Sequence, residues 1–183
     1  MSNFVINPYK MAAACTQEYV VTNTATGTGW GTNGDRVNAS KSTATVSEGD
    51  LIETLGEYIH ATNDQPYNLE FVAWTDGGAH GPDEFICMTE SKDVSSTGWI
   101  ESDVVNGSGS VEAHTITAGE AGYIWLGVWA DGNTEAYVDT GKTAEETVVE
   151  TYNSSNTVEP TSPFDWDHQI GASIRCRATV CAY

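Results

Sequence analysis

The chain has 183 residues, with 26 Asp and Glu against seven Lys and Arg, and carries a formal net charge of -19. A surface this acidic excludes nucleic acid and anionic membrane as partners, because the phosphates would release no counterions and would meet like charge. Hydrophobic residues at 39% suffice for a core and exclude intrinsic disorder, while charged residues at only 18% leave the solvent face to Thr, Ser, Asn and Gly, the texture of strands joined by turns.

Residues 1–16 read as an N-terminal arm ahead of a single domain, residues 17–183. Pro8 disfavours helix at Asn7 and makes Asn7-Pro8-Tyr9 extended or turned. No apolar run marks a secretory leader or a membrane span, which predicts synthesis in a cytoplasm without export by the usual route. Residues 18–25, with Tyr19, Val20 and Val21, predict a strand. Residues 26–35, with four glycines and Trp30, predict a loop, and the Thr-rich stretch 40–46 an edge or outer strand. Glu48-Gly49-Asp50 is a turn. Residues 51–61 place Leu51, Leu55 and Ile59 at helical spacing, and Ser47 with Asp50 offers a capping box. Gly56 interrupts that helix, and two short strands are expected instead.

Residues 69–75 predict a strand with Leu69, Phe71 and Ala73 on one face and Val72 and Trp74 on the other. A second strand, 84–90, carries Phe85, Ile86, Cys87 and Met88, and the breaker-rich stretch 76–83 links the two. Asn106-Gly107-Ser108-Gly109 is a turn leading to a strand over 111–117. Residues 122–130 set an aliphatic face, Ile124, Leu126, Val128 and Ala130, against an aromatic face, Tyr123, Trp125 and Trp129. A strand apolar on both faces lies centrally and is covered on both. Asp131-Gly132-Asn133 signals a hairpin into 134–139. Residues 143–152 suit a short helix or a strand, and 153–163 a polar loop. From Ile170 to Val180 even positions are apolar, and odd positions include Arg175 and Arg177. The sum is an all-β fold, an antiparallel β-sandwich of which the jelly roll is one form.

No catalytic residue emerges. His60, His80, His114 and His168 are scattered, no G-x-S-x-G elbow occurs, and acids such as Asp131, Glu135 and Asp139 fall together by abundance alone. No cofactor is expected. Asp76, Asp83, Asp131, Asn133, Asp165 and Asp167 offer hard oxygen ligands for calcium, but no EF-hand loop arranges them. Cys15, Cys87, Cys176 and Cys181 lack zinc-ligand spacing. Cys176 and Cys181 face opposite sides of one strand, and reduced, buried thiols are expected. Tyr123, Trp125 and Trp129 suit a protein interface, a core, or a platform for an oligosaccharide such as a host-surface glycan. Arg175 and Arg177 are expected to meet carboxylates, within the chain or as ion pairs between subunits.

The opening Phe4-Val5-Ile6-Asn7-Pro8-Tyr9 resembles the start of virion proteins of tailed bacteriophages, in which an aromatic-aliphatic pair precedes Asn-Pro-Tyr. The Thr/Ser/Gly-rich strands with few bases resemble phage fibre and head-decoration domains. The resemblance implies a structural subunit of the virion, on the capsid exterior or in the tail or fibre. Its partners would be other virion proteins and further copies of itself. Residues Phe4 to Tyr9 would form an assembly arm that adds a strand to a neighbour's sheet edge in a closed oligomer.

Overall fold

The computed structural model describes residues 15–24, 29–32, 36–62, 67–78, 81–94, 96–130, 134–140, 148–152, 168–170 and 172–182. Regular structure among them is all strand. The first eight strands are β1 (Thr16–Val21), β2 (Gly29–Thr32), β3 (Arg36–Val46), β4 (Leu51–Thr62), β5 (Tyr67–Asp76), β6 (Pro82–Thr89), β7 (Lys92–Val94) and β8 (Gly98–Val105). There follow β9 (His114–Thr115), β10 (Gly122–Ala130), β11 (Thr134–Thr140), β12 (Val148–Tyr152), β13 (His168–Ile170), β14 (Ala172–Ile174) and β15 (Cys176–Ala182).

Neighbouring strands pair antiparallel in the order β1-β15-β4-β8-β6-β5-β10-β3-β12-β13. One half, β1-β15-β4-β8, pairs with the other along β6 and β8 through two residue pairs among the described residues, Met88 with Val105 and Thr89 with Val104. At the far side the sheet curls back on itself: Thr43 Oγ1 on β3 donates to the Val21 carbonyl on β1 at 2.9 Å, and Ser40 Oγ accepts from the Ile174 amide at 2.9 Å. The result is an antiparallel sheet nearly closed into a barrel-like shape.

Period-two alternation decides what fills it. Ile52, Leu55 and Ile59 of β4, Leu69, Phe71 and Ala73 of β5, Ile124, Leu126, Val128 and Ala130 of β10, and Cys176, Ala178 and Val180 of β15 meet in one interior cluster. A register shift opposite Ala73 and Trp74 makes β6 bulge, and Ile86 and Cys87 both turn inward. The opposite face of β3, β5 and β10 is buried as well and gathers Val37, Ala39, Val72, Trp74, Trp125 and Trp129. Strand β10, paired with β5 on one side and β3 on the other, thus has the central, two-faced place its sequence predicts.

Several expectations need correction. Residues 40–46 are the second half of the longer strand β3; they pair with β10 alone among the described residues, as the expected edge does, while β12 pairs only with residues 36–39. The glycine-rich stretch 26–35 contains strand β2, paired with β11. Residues 51–61 form one strand that changes partners along its length, from β9 to β8 to β11, so neither a helix nor a break at Gly56 is needed. Ser47 and Asp50 close the tight turn before β4, the Asp50 carboxylate accepting from the Ser47 amide at 2.8 Å. Strand β11 exists, but its partners are β2, β4 and β14 rather than β10, so β10 and β11 do not form the expected hairpin. The 111–117 strand shrinks to β9 and a single bridge at Val111. The run 170–180 is split among β13, β14 and β15, and from Ile174 to Val180 its even positions point inward as expected. Residues 143–152 yield a strand, β12.

The cysteines also depart from expectation. Cys15 and Cys181 form a disulfide with their Cα atoms 5.3 Å apart. Cys87 and Cys176 are the buried free thiols that the sequence predicts. Residues 4–9 lie outside the described residues.

Candidate functional site, an arginine and aromatic ladder

Because Ile174, Cys176 and Ala178 point inward, Arg175 and Arg177 must point outward from the half-barrel β1-β15-β4-β8. There they alternate with aromatic rings from three other strands. The Arg177 guanidinium lies 4.5 Å from the Tyr19 ring centroid and 4.0 Å from that of Trp99. Arg175 lies 5.4 Å from Trp99 and 4.8 Å from Tyr58. Tyr58 and Trp99 are cross-strand partners and meet edge to face at 5.6 Å. The order Tyr19, Arg177, Trp99, Arg175, Tyr58 is a ladder of alternating rings and cations, each contact contributing on the order of 0.5–2 kcal/mol.

Gly56 makes the ladder's anchor. Arg177, Gly56 and Glu101 stand in one register row across β15, β4 and β8. A side chain at Gly56 would collide with the Ile100 carbonyl and fall 2.6 Å from Glu101 Cγ. With none there, Glu101 reaches over β4 and accepts two hydrogen bonds from Arg177, from Nε at 2.8 Å and Nη2 at 2.6 Å. This bidentate pair fixes the guanidinium plane for stacking. The Arg177 and Glu101 side chains are only 16% and 29% exposed, whereas Tyr19 at the ladder's end is 56% exposed. Arg177 thus makes an ion pair within the chain, one of the two pairings its sequence led us to expect.

The other predicted positions divide. Trp125 and Trp129 are 0% and 2% exposed within the second apolar cluster, which corrects the glycan-platform reading for both. Trp125 Nε1 donates to Asp76 at 2.9 Å, and Lys41 pairs with the same carboxylate at 2.7 Å. Tyr123 stays on the surface with Lys41 4.9 Å from its ring centroid. Asp76, expected among loop oxygens open to calcium, is thus engaged by a lysine and an indole.

Two further features were not read from the sequence. Glu57 is fully buried on β4 between Leu55 and Ile59, opposite Cys176 and Ile100, and neither carboxylate oxygen has a hydrogen-bond partner among the described residues. Burial pushes this carboxyl up to about 8. It also raises the Cys176 thiol, with the nearby Glu57 adding to the effect. The second feature is a groove of about 550 Å³ between β6 and the segment after β8. His114 on its wall pairs with Glu120 at 3.1 Å. Burial alone would raise Glu120, but hydrogen bonds from the Thr117 amide, the His114 ring and the Thr117 hydroxyl hold it below the usual carboxylate range. Cys87 on the groove floor is held protonated by burial, and by Glu120 after it, which makes it a poor nucleophile.

Arg175 and Arg177 were visible as an outward pair. Tyr19, Tyr58, Trp99 and Glu101 were not, because only strand order brings them alongside. Comparison with known proteins finds no matching family model, no matching curated protein and no matching solved structure.

Proposed function

We propose that this chain is a structural subunit of a bacteriophage virion, on the capsid exterior or in the tail or fibre, acting by protein–protein assembly and not by catalysis. The observation that carries the assembly reading is the ladder. Tyr, Trp and Arg dominate interface hot spots, and here five of them stack against one another on one outer sheet face. Pre-ordering such side chains lowers the entropy lost when a partner covers them. The Phe4 to Tyr9 opening and the net charge of -19 support an exterior virion placement. The same reading takes the two strand groups as the layers of a jelly-roll sandwich. Mass spectrometry of purified particles tests it: the chain should be present at a fixed copy number, and Trp99→Ala should reduce its incorporation. Absence of the chain from particles overturns the reading.

A second reading is supported by the exposure of Tyr19 beside a guanidinium. The Tyr19 and Trp99 rings, not Trp125 and Trp129, would then stack a host-surface glycan. A glycan array with wild type and Tyr19→Ala separates the two readings, because only this one expects saccharide binding that the substitution removes.

A further inference from the structure

The turn after β8, Asn106-Gly107-Ser108-Gly109, holds the Asn106 side chain at both of its polar atoms. The carbonyl oxygen Oδ1 accepts three hydrogen bonds: from the Ser108 hydroxyl at 2.6 Å, the Ser108 amide at 3.0 Å and the Ser110 amide at 3.1 Å. The nitrogen Nδ2 donates to the Glu112 carboxylate at 2.7 Å. Three donors on one carbonyl oxygen polarise Cγ towards attack. They also stand ready for the negative charge that a tetrahedral intermediate would place on Oδ1. The carboxylate lies where a departing nitrogen needs a proton carrier.

The nucleophile is the next residue in the chain. Gly107 is exposed, and its N–H donates no hydrogen bond among the described residues. Having no side chain, it leaves the path from its nitrogen to Asn106 Cγ unshielded. The turn around it is ordered: the Asn106 amide donates to the Ser110 carbonyl at 2.9 Å, and the Gly109 amide to the Asn106 carbonyl at 2.8 Å. A free nitrogen, a polarised carbonyl and a proton carrier thus meet within five residues, which supplies the proximity and charge stabilisation that acyl transfer requires.

We infer that Asn106 is a self-modifying site, at which the folded turn promotes loss of the side-chain amide. The Gly107 nitrogen attacks Asn106 Cγ and forms a five-membered succinimide ring. The Cγ–Nδ2 bond breaks, and ammonia departs with the proton that the Gly107 nitrogen loses, carried by solvent or by Glu112. Water then opens the ring at either carbonyl and leaves aspartate or isoaspartate at position 106. Nothing is oxidised or reduced, and water is the only co-reactant. The product turns the hydrogen bond to Glu112 into a contact between like charges. Glu112 lines the groove beside β6, and its segment is tied to β8 by the Val105–Val111 bridge and by the Glu112 amide on the Val104 carbonyl at 3.0 Å. Modification therefore loosens that wall of the groove. This chemistry is independent of the assembly reading above.

The test incubates the purified full chain at neutral pH, folded or in urea, and follows the peptide containing position 106 by mass spectrometry with electron-based fragmentation, which tells aspartate from isoaspartate. Both products should appear, about tenfold faster in the folded chain than in urea. Ser108→Ala removes the shortest donor to Oδ1 and should slow the folded-state reaction about tenfold. Gly107→Ala, whose added carbon meets nothing within 4 Å, should slow it too while circular dichroism shows the fold unchanged. After conversion, hydrogen exchange at the Glu112 amide should quicken while that of β10 stays the same. A folded-state rate no faster than that in urea, aspartate without isoaspartate, or a rate unmoved by Ser108→Ala overturns the inference. Unchanged exchange at Glu112 overturns its effect on the groove.

Discussion

Gly127 on β10 lies directly against the indole of Trp74 on β5: a Cβ at Gly127 would fall 2.5 Å from Trp74 Cζ3 and 3.1 Å from Cη2. The glycine between Trp125 and Trp129 is therefore the slot into which a third tryptophan packs. Gly127→Ala should destabilise the fold by about 1–3 kcal/mol through overpacking. Trp74→Phe in the same chain, which removes the clashing ring atoms, should recover part of that loss. Urea midpoints of the two single variants and the double variant measure the coupling, and additive losses would show that the contact does not matter.

The Gly56 row predicts a different pattern at the surface. Arg177→Lys keeps the charge but loses the fork that spans Glu101, and should cost about 1 kcal/mol, discounted for the partial exposure of both partners. Gly56→Ala should cost more, because the added carbon meets backbone at Ile100 as well as the Glu101 side chain. Denaturation midpoints rank the two, and the near-ultraviolet circular dichroism of Trp99 should weaken in both.

Glu57 gives the protein a pH dependence opposite in sign to that of a salt-bridged acid. Its carboxyl holds a proton up to about pH 8 when folded and only to about 4.5 in the ordinary state. Between those values the folded chain binds more protons than the unfolded one, so stability falls as pH rises. The contribution is complete below pH 4.5 and is lost as pH passes 8, on the order of 3–5 kcal/mol in all. Glu57→Gln should flatten this part of the stability curve measured from pH 4 to 9. An unchanged slope would mean that the carboxyl is solvated or paired in solution.

How much of this was legible is clearest strand by strand. The split of Leu69, Phe71 and Ala73 from Val72 and Trp74 is written in the period of two, and so is the two-faced character of β10. Alternation says which way a side chain points but not which strand lies next to it. Hence Arg175 and Arg177 could be placed outward, while Trp99 and Glu101 two strands away could not be joined to them. β11 was read as a strand, yet its crossing to β4 depends on long-range pairing. Glu57 was passed over because one acid among 26 carries no mark of burial.

The disulfide is the last case of the same kind, since Cys15 and Cys181 are neighbours only through the pairing of β1 with β15. Reducing it, or making Cys15→Ser, should lower stability by roughly 3–5 kcal/mol, given the length of chain it closes. Thermal unfolding with and without reductant checks this, and the Cys15→Ser variant should be insensitive to reductant.

The same bond has a mechanical consequence. Cys15 and Cys181 are 166 positions apart in sequence, yet they are one covalent link. Tension applied at the two ends of the molecule would run through the sulfur bridge and bypass every strand between, so the barrel would bear no load until that bridge broke.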